Sequence, residues 1–182
     1  MAACAGADEA PDANNLGVVS DASLCLLNGE RSARGLGSLT ANGLLGRAAV
    51  AHSAEMVSSG VFSHESPDGT PFDQRILAAG YRPLGGAWTV GENIAWGSGS
   101  LATPRSIVAA WMASAPHRAN ILEPDFQEIG VGVVQGTPSG DPGATYTTDF
   151  GARDRPVRIA ARPHRKVKKR VHKRARAHRA HR

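Results

Sequence analysis

Apolar residues recur at helical spacing in two windows near the start of the chain. Between Asp21 and Arg34, Leu24, Leu26, Leu27 and Ala33 share an approximately helical face that Gly35 closes, which predicts a first helix. In the next window Leu44, Leu45, Ala48, Ala51, Ala54 and Met56 follow Asn42, a residue suited to cap a helix start, and Gly60 ends the pattern; a second helix is expected there. The periodicity then breaks at Ser63-His64-Glu65-Ser66-Pro67-Asp68-Gly69, a polar turn-rich loop. Thr70-Pro71 carries the cap-plus-first-position signature of a short helix from Phe72 to Ala79, stopped by Gly80.

Further along, the aromatic and branched residues of Trp88–Trp96 read as a strand running into the Gly/Ser turn Gly97–Ser100. Thr103-Pro104 opens another helix bearing Ile107, Val108, Ala110 and Trp111; Pro116 interrupts it, and a short helical turn restarts over His117–Leu122. Ile129–Val134 and Tyr146–Phe150, joined by a Gly/Pro/Asp/Ser-rich loop, fit two strands of an antiparallel hairpin. Helices packed on a small antiparallel sheet make an α+β domain. Trp88, Trp96 and Trp111 are expected as core anchors, with a ligand groove as the alternative.

Charge divides the chain more sharply than hydropathy does. Of 182 residues, the 28 from Arg155 to Arg182 hold 13 Lys+Arg and no acid, whereas residues 1–154 hold 8 basic and 16 acidic side chains. The expected organisation is a flexible leader over residues 1–20, a folded domain over 21–154, and a disordered basic tail over 155–182 that cannot bury a core. Such a tail suits an anionic cell-envelope polymer or anionic lipid surface, or nucleic acid bound without sequence preference; no aromatic residue is present in it to stack bases. Folding back onto the acidic body is the remaining reading. No run of about 18 apolar residues occurs.

Two cysteines, Cys4 and Cys25, are compatible with one disulfide and an oxidising compartment. The alternatives are a buried, unpaired Cys25 with an idle Cys4, or an acylated Cys4 at a trimmed lipoprotein end. The opening residues do not show a charged start followed by an apolar stretch, so export is not read from them directly.

The body has three histidines, His52, His64 and His117, and Glu92 interrupts an otherwise apolar strand between the last two. Two imidazoles and a carboxylate with an open fourth position would suit Zn²⁺ or a related divalent cation. Alternatively, Glu92 reads as a backbone hydrogen-bond partner and both histidines as loop caps. His52 and Glu55, one helical turn apart, are expected either behind the same cleft or as an ordinary i,i+3 pair.

These residues also carry a family resemblance. Phe62-Ser63-His64, Gly91-Glu92-Asn93-Ile94, and Trp111-Met112-Ala113-Ser114 followed by His117-Arg118-Ala119-Asn120-Ile121-Leu122 resemble the motifs of bacterial CAP domains, the cysteine-rich secretory, antigen 5 and pathogenesis-related group also called SCP domains. Leu27-Asn28 with Arg31, Ser66-Pro67-Asp68-Gly69, Gly80-Tyr81, Ile129-Gly130-Val131-Gly132-Val133 and Asp149-Phe150-Gly151 continue it, so that residues 22–152 are covered.

The resemblance implies a three-layer α-β-α sandwich and a cleft where two His and two acids take a divalent cation. His64, Glu92 and His117 match three of these positions. The fourth acid falls on Ser114, so the site is expected to bind metal weakly, to borrow Glu128 or Asp125, or to be a polar cleft with no ion. Ser63, Asn93 and Ser114 are expected to line it. The resemblance further implies a secreted, monomeric module for a small apolar ligand such as a sterol or fatty acid. Its rival is a metal-dependent, peptidase-like hydrolase, although no Gly-x-Ser-x-Gly elbow occurs. A nucleic-acid-associated protein acting through the tail is the third expectation.

Overall fold

The computed structural model describes residues 4–153 apart from 84, 86 and 87; the tail, with the partners expected for it, lies outside the described residues. Five α-helices and four strands are placed along the chain in the order α1 (Leu16–Ser32), β1 (Thr40–Ala41), α2 (Gly43–Ser59), α3 (Phe72–Ala78), β2 (Trp88–Gly97), α4 (Pro104–Ala113), α5 (Ala115–Leu122), β3 (Glu128–Gln135) and β4 (Ala144–Arg153), with a 3-10 turn over Gly99–Ala102. The sheet order is β1-β3-β4-β2. β3 and β4 form the expected antiparallel hairpin, β2 pairs antiparallel with β4, and β1 pairs in parallel with β3.

Helices cover both faces, giving the three-layer sandwich. On one face Val19, Leu27, Ile107, Val108, Trp111 and Ile121 of α1, α4 and α5 meet Ile129, Val133, Tyr146 and Phe150 of the sheet. On the other, Leu45, Ala48 and Ile76 of α2 and α3 pack with Tyr81. The Ile129-Gly130-Val131-Gly132-Val133 alternation explains this second contact. Ile129 and Val133 point to the first core, and the two glycines lie under α2. A Cβ on Gly130 would strike the backbone of Leu45 and Gly46, and one on Gly132 the backbone of Ala49 and Val50. The helix thus rests directly on the strand, as only glycine allows.

Local signals account for most helix ends. Asn42 Oδ1 accepts from Leu44 N at 2.9 Å, Thr103 Oγ1 accepts from Ser106 N at 3.3 Å, and Gly60 adopts φ 70° at the α2 terminus. Arg31, on the last turn of α1, is almost fully buried. It donates to four carbonyls, those of Gly37, Ile121, Glu123 and Phe126, at 2.7–3.1 Å. It thereby fastens the end of α5, which carries His117, to α1.

Three expectations change. Residues 1–20 are not a flexible leader over the described positions: α1 begins at Leu16, because Val19 is already fully buried in the core, and the preceding segment is docked. Cys4 is disulfide-bonded to Cys25, Ala7 is buried with its carbonyl accepting from Arg105 N at 2.9 Å, and Asp8 receives the Arg105 guanidinium at 2.6 and 2.9 Å. Trp96 is 41% exposed, unlike the core residue Trp111. The two-residue β1 had no periodicity to announce it; it exists through pairing, with Thr40 N donating to Gln127 O and Asn42 N to Ile129 O.

β2 is an edge strand whose outer carbonyls are taken by side chains from the next helices. Trp111 Nε1 donates to Ile94 O at 3.1 Å and Asn120 Nδ2 to Glu92 O at 3.0 Å. The candidate site lies along this edge.

Candidate functional site

Strand alternation places Glu92 on the α2/α3 side of the sheet, opposite Asp149 of β4, and Asn93 on the α4/α5 side. The Glu92 side chain is 1% exposed. A buried carboxylate requires close partners. His64 Nδ1 donates to Glu92 Oε1 at 2.8 Å, and Arg75 Nη2 donates to Oε2 at 2.6 Å. The hydrogen bond at Nδ1 fixes the imidazole's tautomer and orientation, and the ring is half exposed. Arg75, from α3, also donates through Nη1 to His64 O at 2.9 Å and Thr70 O at 3.1 Å. One guanidinium therefore holds both the His64 loop and the carboxylate below it.

His117 approaches from the opposite layer. Asn93 Nδ2 donates to His117 O at 3.0 Å, and Asn93 Oδ1 accepts from Asn120 Nδ2 at 2.9 Å, so β2 carries the first turn of α5 on its edge. The His117 imidazole is half-buried; burial first, and the neighbouring His64 second, push its pKa down. Ser114 is half-buried at the junction of α4 and α5. Ser63 supports the loop, its Oγ accepting from Glu65 N at 3.0 Å.

His52 and Glu55 form an i,i+3 pair behind that loop, with His52 buried and Glu55 half-buried. His52 is fully buried, its Nε2 donating to Ser63 O at 2.9 Å while Nδ1 faces Glu55 Oε2 at 3.2 Å. Glu55 Oε2 also accepts from Ser66 Oγ at 2.7 Å. Together with Arg75, Ser66 and the alanines of α2 and α3 they line a groove of about 480 Å³.

Two residues of the site were missed by sequence reading. Arg75 carried no signal beyond being an arginine in a body with 8 basic residues. Asp149 stood in the Asp-Phe-Gly motif, but its role depends on cross-strand register. It is 1% exposed, and its Oδ1 has no partner among the described residues. Burial first, and the charge of Glu92 second, raise its pKa well above the usual carboxylate range, against an opposing pull from Arg75. The acids considered as substitutes lie elsewhere. Glu128 accepts from Asn42, Tyr81 and Arg153 near the start of α2, and Asp125 N caps onto Glu123 Oε1.

This donor set does not fit the divalent cation expected of His64, Glu92 and His117. Both Glu92 oxygens are engaged, one of them by the Arg75 guanidinium, Ser114 supplies no carboxylate, and burial raises the pKa of the adjacent Asp149. Among the described residues no three His, Cys, Asp or Glu side chains are disposed to hold a metal ion.

Residues 24–150 match the sequence profile of the cysteine-rich secretory protein (CAP) family. The uncharacterised protein YkwD of Bacillus subtilis (strain 168) is 39% identical over 127 residues, 69% of this chain and 44% of YkwD; the chain thus spans less than half of that relative's length. Among solved structures, an extracellular SCP-domain protein of Bacillus anthracis is 27% identical with a TM-score of 0.60, covering 78% of this chain and 41% of the other. An outer surface protein of Borrelia burgdorferi shares the fold at 19% identity and a TM-score of 0.63, covering 81% and 99%.

Proposed function

The chain belongs to the cysteine-rich secretory protein (CAP) family, and on that premise we propose that it is an exported, monomeric binding module whose cleft takes a small apolar ligand with a polar head. The observation that carries this reading is the half-exposed His64 imidazole, oriented by the buried Glu92 carboxylate and locked by Arg75. Such an arrangement offers a prepositioned hydrogen-bonding group. The groove between α2 and α3, with its alanine floor and polar rim, supplies apolar surface nearby. Export is supported by the Cys4–Cys25 disulfide and by the extracellular description of the Bacillus anthracis protein.

In this reading the basic residues between Arg155 and Arg182 hold the module at an anionic surface. The test uses the full chain with oleate and cholesterol as cleft probes, and vesicles of phosphatidylglycerol or phosphatidylcholine as surface probes. Saturable oleate or cholesterol binding weakened in His64→Ala is expected. So is salt-sensitive retention on phosphatidylglycerol alone, lost when the tail Lys and Arg are replaced by Gln. Equal retention on both vesicles would remove the tethering reading. Retention on DNA but not on phosphatidylglycerol would favour the nucleic-acid alternative.

One feature favours a hydrolytic reading, the carboxylate-oriented His64 as a general base. Against it, no serine hydroxyl among the described residues is hydrogen-bonded to an imidazole, and Glu92, neutralised by Arg75, is not a free base. Turnover of a peptide or ester library that His64→Ala abolishes would establish it.

A further inference from the structure

We infer that His52 and Glu55 form a proton-operated latch on the loop that carries His64: with one proton shared between them they pin Ser63, and loss of that proton as pH rises lets Ser63 go. The inference concerns the buried pair on α2 and stands whether or not the cleft takes the ligand proposed above. It starts from what each imidazole nitrogen faces. Nε2 is 2.9 Å from the Ser63 carbonyl oxygen, and Nδ1 is 3.2 Å from a Glu55 carboxylate oxygen. A carbonyl and an ionised carboxylate only accept hydrogen bonds, and a neutral imidazole has a single N–H. Either neutral tautomer would set a lone pair against an acceptor, in a side chain 1% exposed to water, where an unmade hydrogen bond is costly. The ring satisfies both partners only with a proton on each nitrogen, and Glu55 then supplies the counter-charge that a buried imidazolium needs. In water a Glu carboxyl gives up its proton at about 4.3 and an imidazolium at about 6.5, so the shared proton resides on the ring.

No other charge competes for that ring. Of the groups that line the groove with His52, Arg47 donates to the carbonyls of Gly43 and Ala79, and Asp68 is exposed and accepts from Thr70 N. Arg75, from α3, is committed to Glu92 and to the carbonyls of His64 and Thr70. On the sheet beneath, Glu92 holds His64 and Arg75, Asp149 is its cross-strand neighbour, and α2 meets β4 through the neutral hydroxyls of Ser53 and Thr147. In the loop itself Glu65 is exposed. Among the described residues Glu55 is the one charged group bonded to a His52 nitrogen.

Glu55 grips the loop at two points. It accepts from Ser66 Oγ at 2.7 Å directly and reaches Ser63 through the ring. When the second proton leaves, the remaining N–H stays with the carboxylate, because a charge-assisted hydrogen bond is about twice as strong as a neutral one. Nε2 then presents a lone pair to Ser63 O, and that contact fails. Ser66 keeps its bond to Glu55, and Ser66 N and Gly69 N keep theirs to Thr70 O and Ser66 O. The opening is thus confined to the stretch between the Gly60 cap of α2 and His64, whose carbonyl Arg75 still holds. That stretch carries two exposed apolar residues, Val61 and Phe62, so the latch sets how firmly they are presented.

The experiment is an NMR titration of the uniformly ¹⁵N-labelled full chain from pH 5 to 9, following the ring nitrogens of His52 and the backbone amides of residue 64 and Gly69. The amide nitrogen of residue 64 shares its peptide group with the Ser63 carbonyl and so reports on the hydrogen bond there. His64→Ala is measured beside wild type so that the His64 ring's own titration drops out, and Glu55→Gln is made in that background. Expected are protons on both His52 nitrogens at pH 5 and loss of the Nε2 proton as pH rises. The residue-64 amide should shift with the same midpoint while the Gly69 amide stays in place. In Glu55→Gln the side-chain amide can donate to Nδ1, a neutral ring keeps its N–H on Ser63 O, and the pH-dependent shift should be lost. Four results would each overturn the inference: His52 with a single proton at pH 5 in the folded chain, His52 still with both protons at pH 9, a proton lost without movement of the residue-64 amide, or a shift undiminished in folded Glu55→Gln. If Glu55→Gln does not fold, the titrations of wild type and His64→Ala decide alone.

Discussion

Glu92 on β2 and Asp149 on β4 are direct cross-strand partners, two carboxyl groups buried on the same face of the sheet with one guanidinium between them and neutrality. Their roles differ. Glu92 holds the hydrogen bonds from His64 and Arg75, and Asp149 retains its proton far more readily than an exposed aspartate.

Asp149→Asn, which keeps the shape and removes only the ability to ionise, should therefore change stability by less than about 1 kcal/mol at pH below 3.8, where the carboxyl is protonated in both the folded and the unfolded chain. Glu92→Gln strands Arg75 without its counter-charge and should cost about 3 kcal/mol. Because the folded-state pKa of Asp149 is raised above its ordinary 3.8, its favourable contribution is complete below that value and is lost as pH rises through the folded pKa. Asp149→Asn should become progressively more stable relative to wild type as pH rises through that window. Urea unfolding of the three proteins across pH checks both statements.

His117 titrates in the opposite sense. Its pKa is depressed below 6.5 by burial and by His64, so folding is unpenalised above 6.5 and loses stability as pH falls below it towards the folded value. His117→Gln should flatten the acid side of the stability profile. His64→Ala should raise the His117 pKa, as followed by NMR titration of the imidazole resonances.

The leader is held by its disulfide and by Arg105. Cys4→Ser opens a cross-link spanning 21 positions and should lower stability by about 3 kcal/mol on the chain-entropy view. Limited proteolysis should then cut before Leu16 at a protease concentration that leaves the oxidised protein intact.

Gly132→Ala forces a methyl group into the backbone of Ala49 and Val50. A loss of at least about 2 kcal/mol is expected. Displacement of α2 should also weaken the His52–Ser63 contact behind the site, visible as a shift of the His64 imidazole resonance. By contrast, Gly37→Ala, where an added Cβ meets nothing, should leave that resonance in place.

What could be read from the chain was whatever is written locally. Asn42 and Gly60 bracket α2, Thr103-Pro104 opens α4, and the turn residues between β3 and β4 announce a hairpin. Arg75 and Asp149 were invisible for the converse reason: each acts on Glu92 across 17 and 57 positions of sequence, through a helix and a strand whose relative placement no spacing encodes. The start of α1 was hidden by composition, since Leu16-Gly17-Val18-Val19 follows an Ala/Asp/Asn-rich stretch that resembles a linker, yet Val19 is a core residue. Resemblance pointed to His64, Glu92 and His117, but not to the Arg75 guanidinium that pairs with Glu92.

The capping of Ile94 O and Glu92 O by Trp111 and Asn120 has a bearing on crowding. Molecules concentrated together encounter one another at high local density, the condition under which bare strand margins zip into polymers. Here those two carbonyls on the margin of β2 are already spoken for, and Trp111→Phe, which removes the indole donor while keeping an aromatic filler, would leave the Ile94 carbonyl buried without its partner.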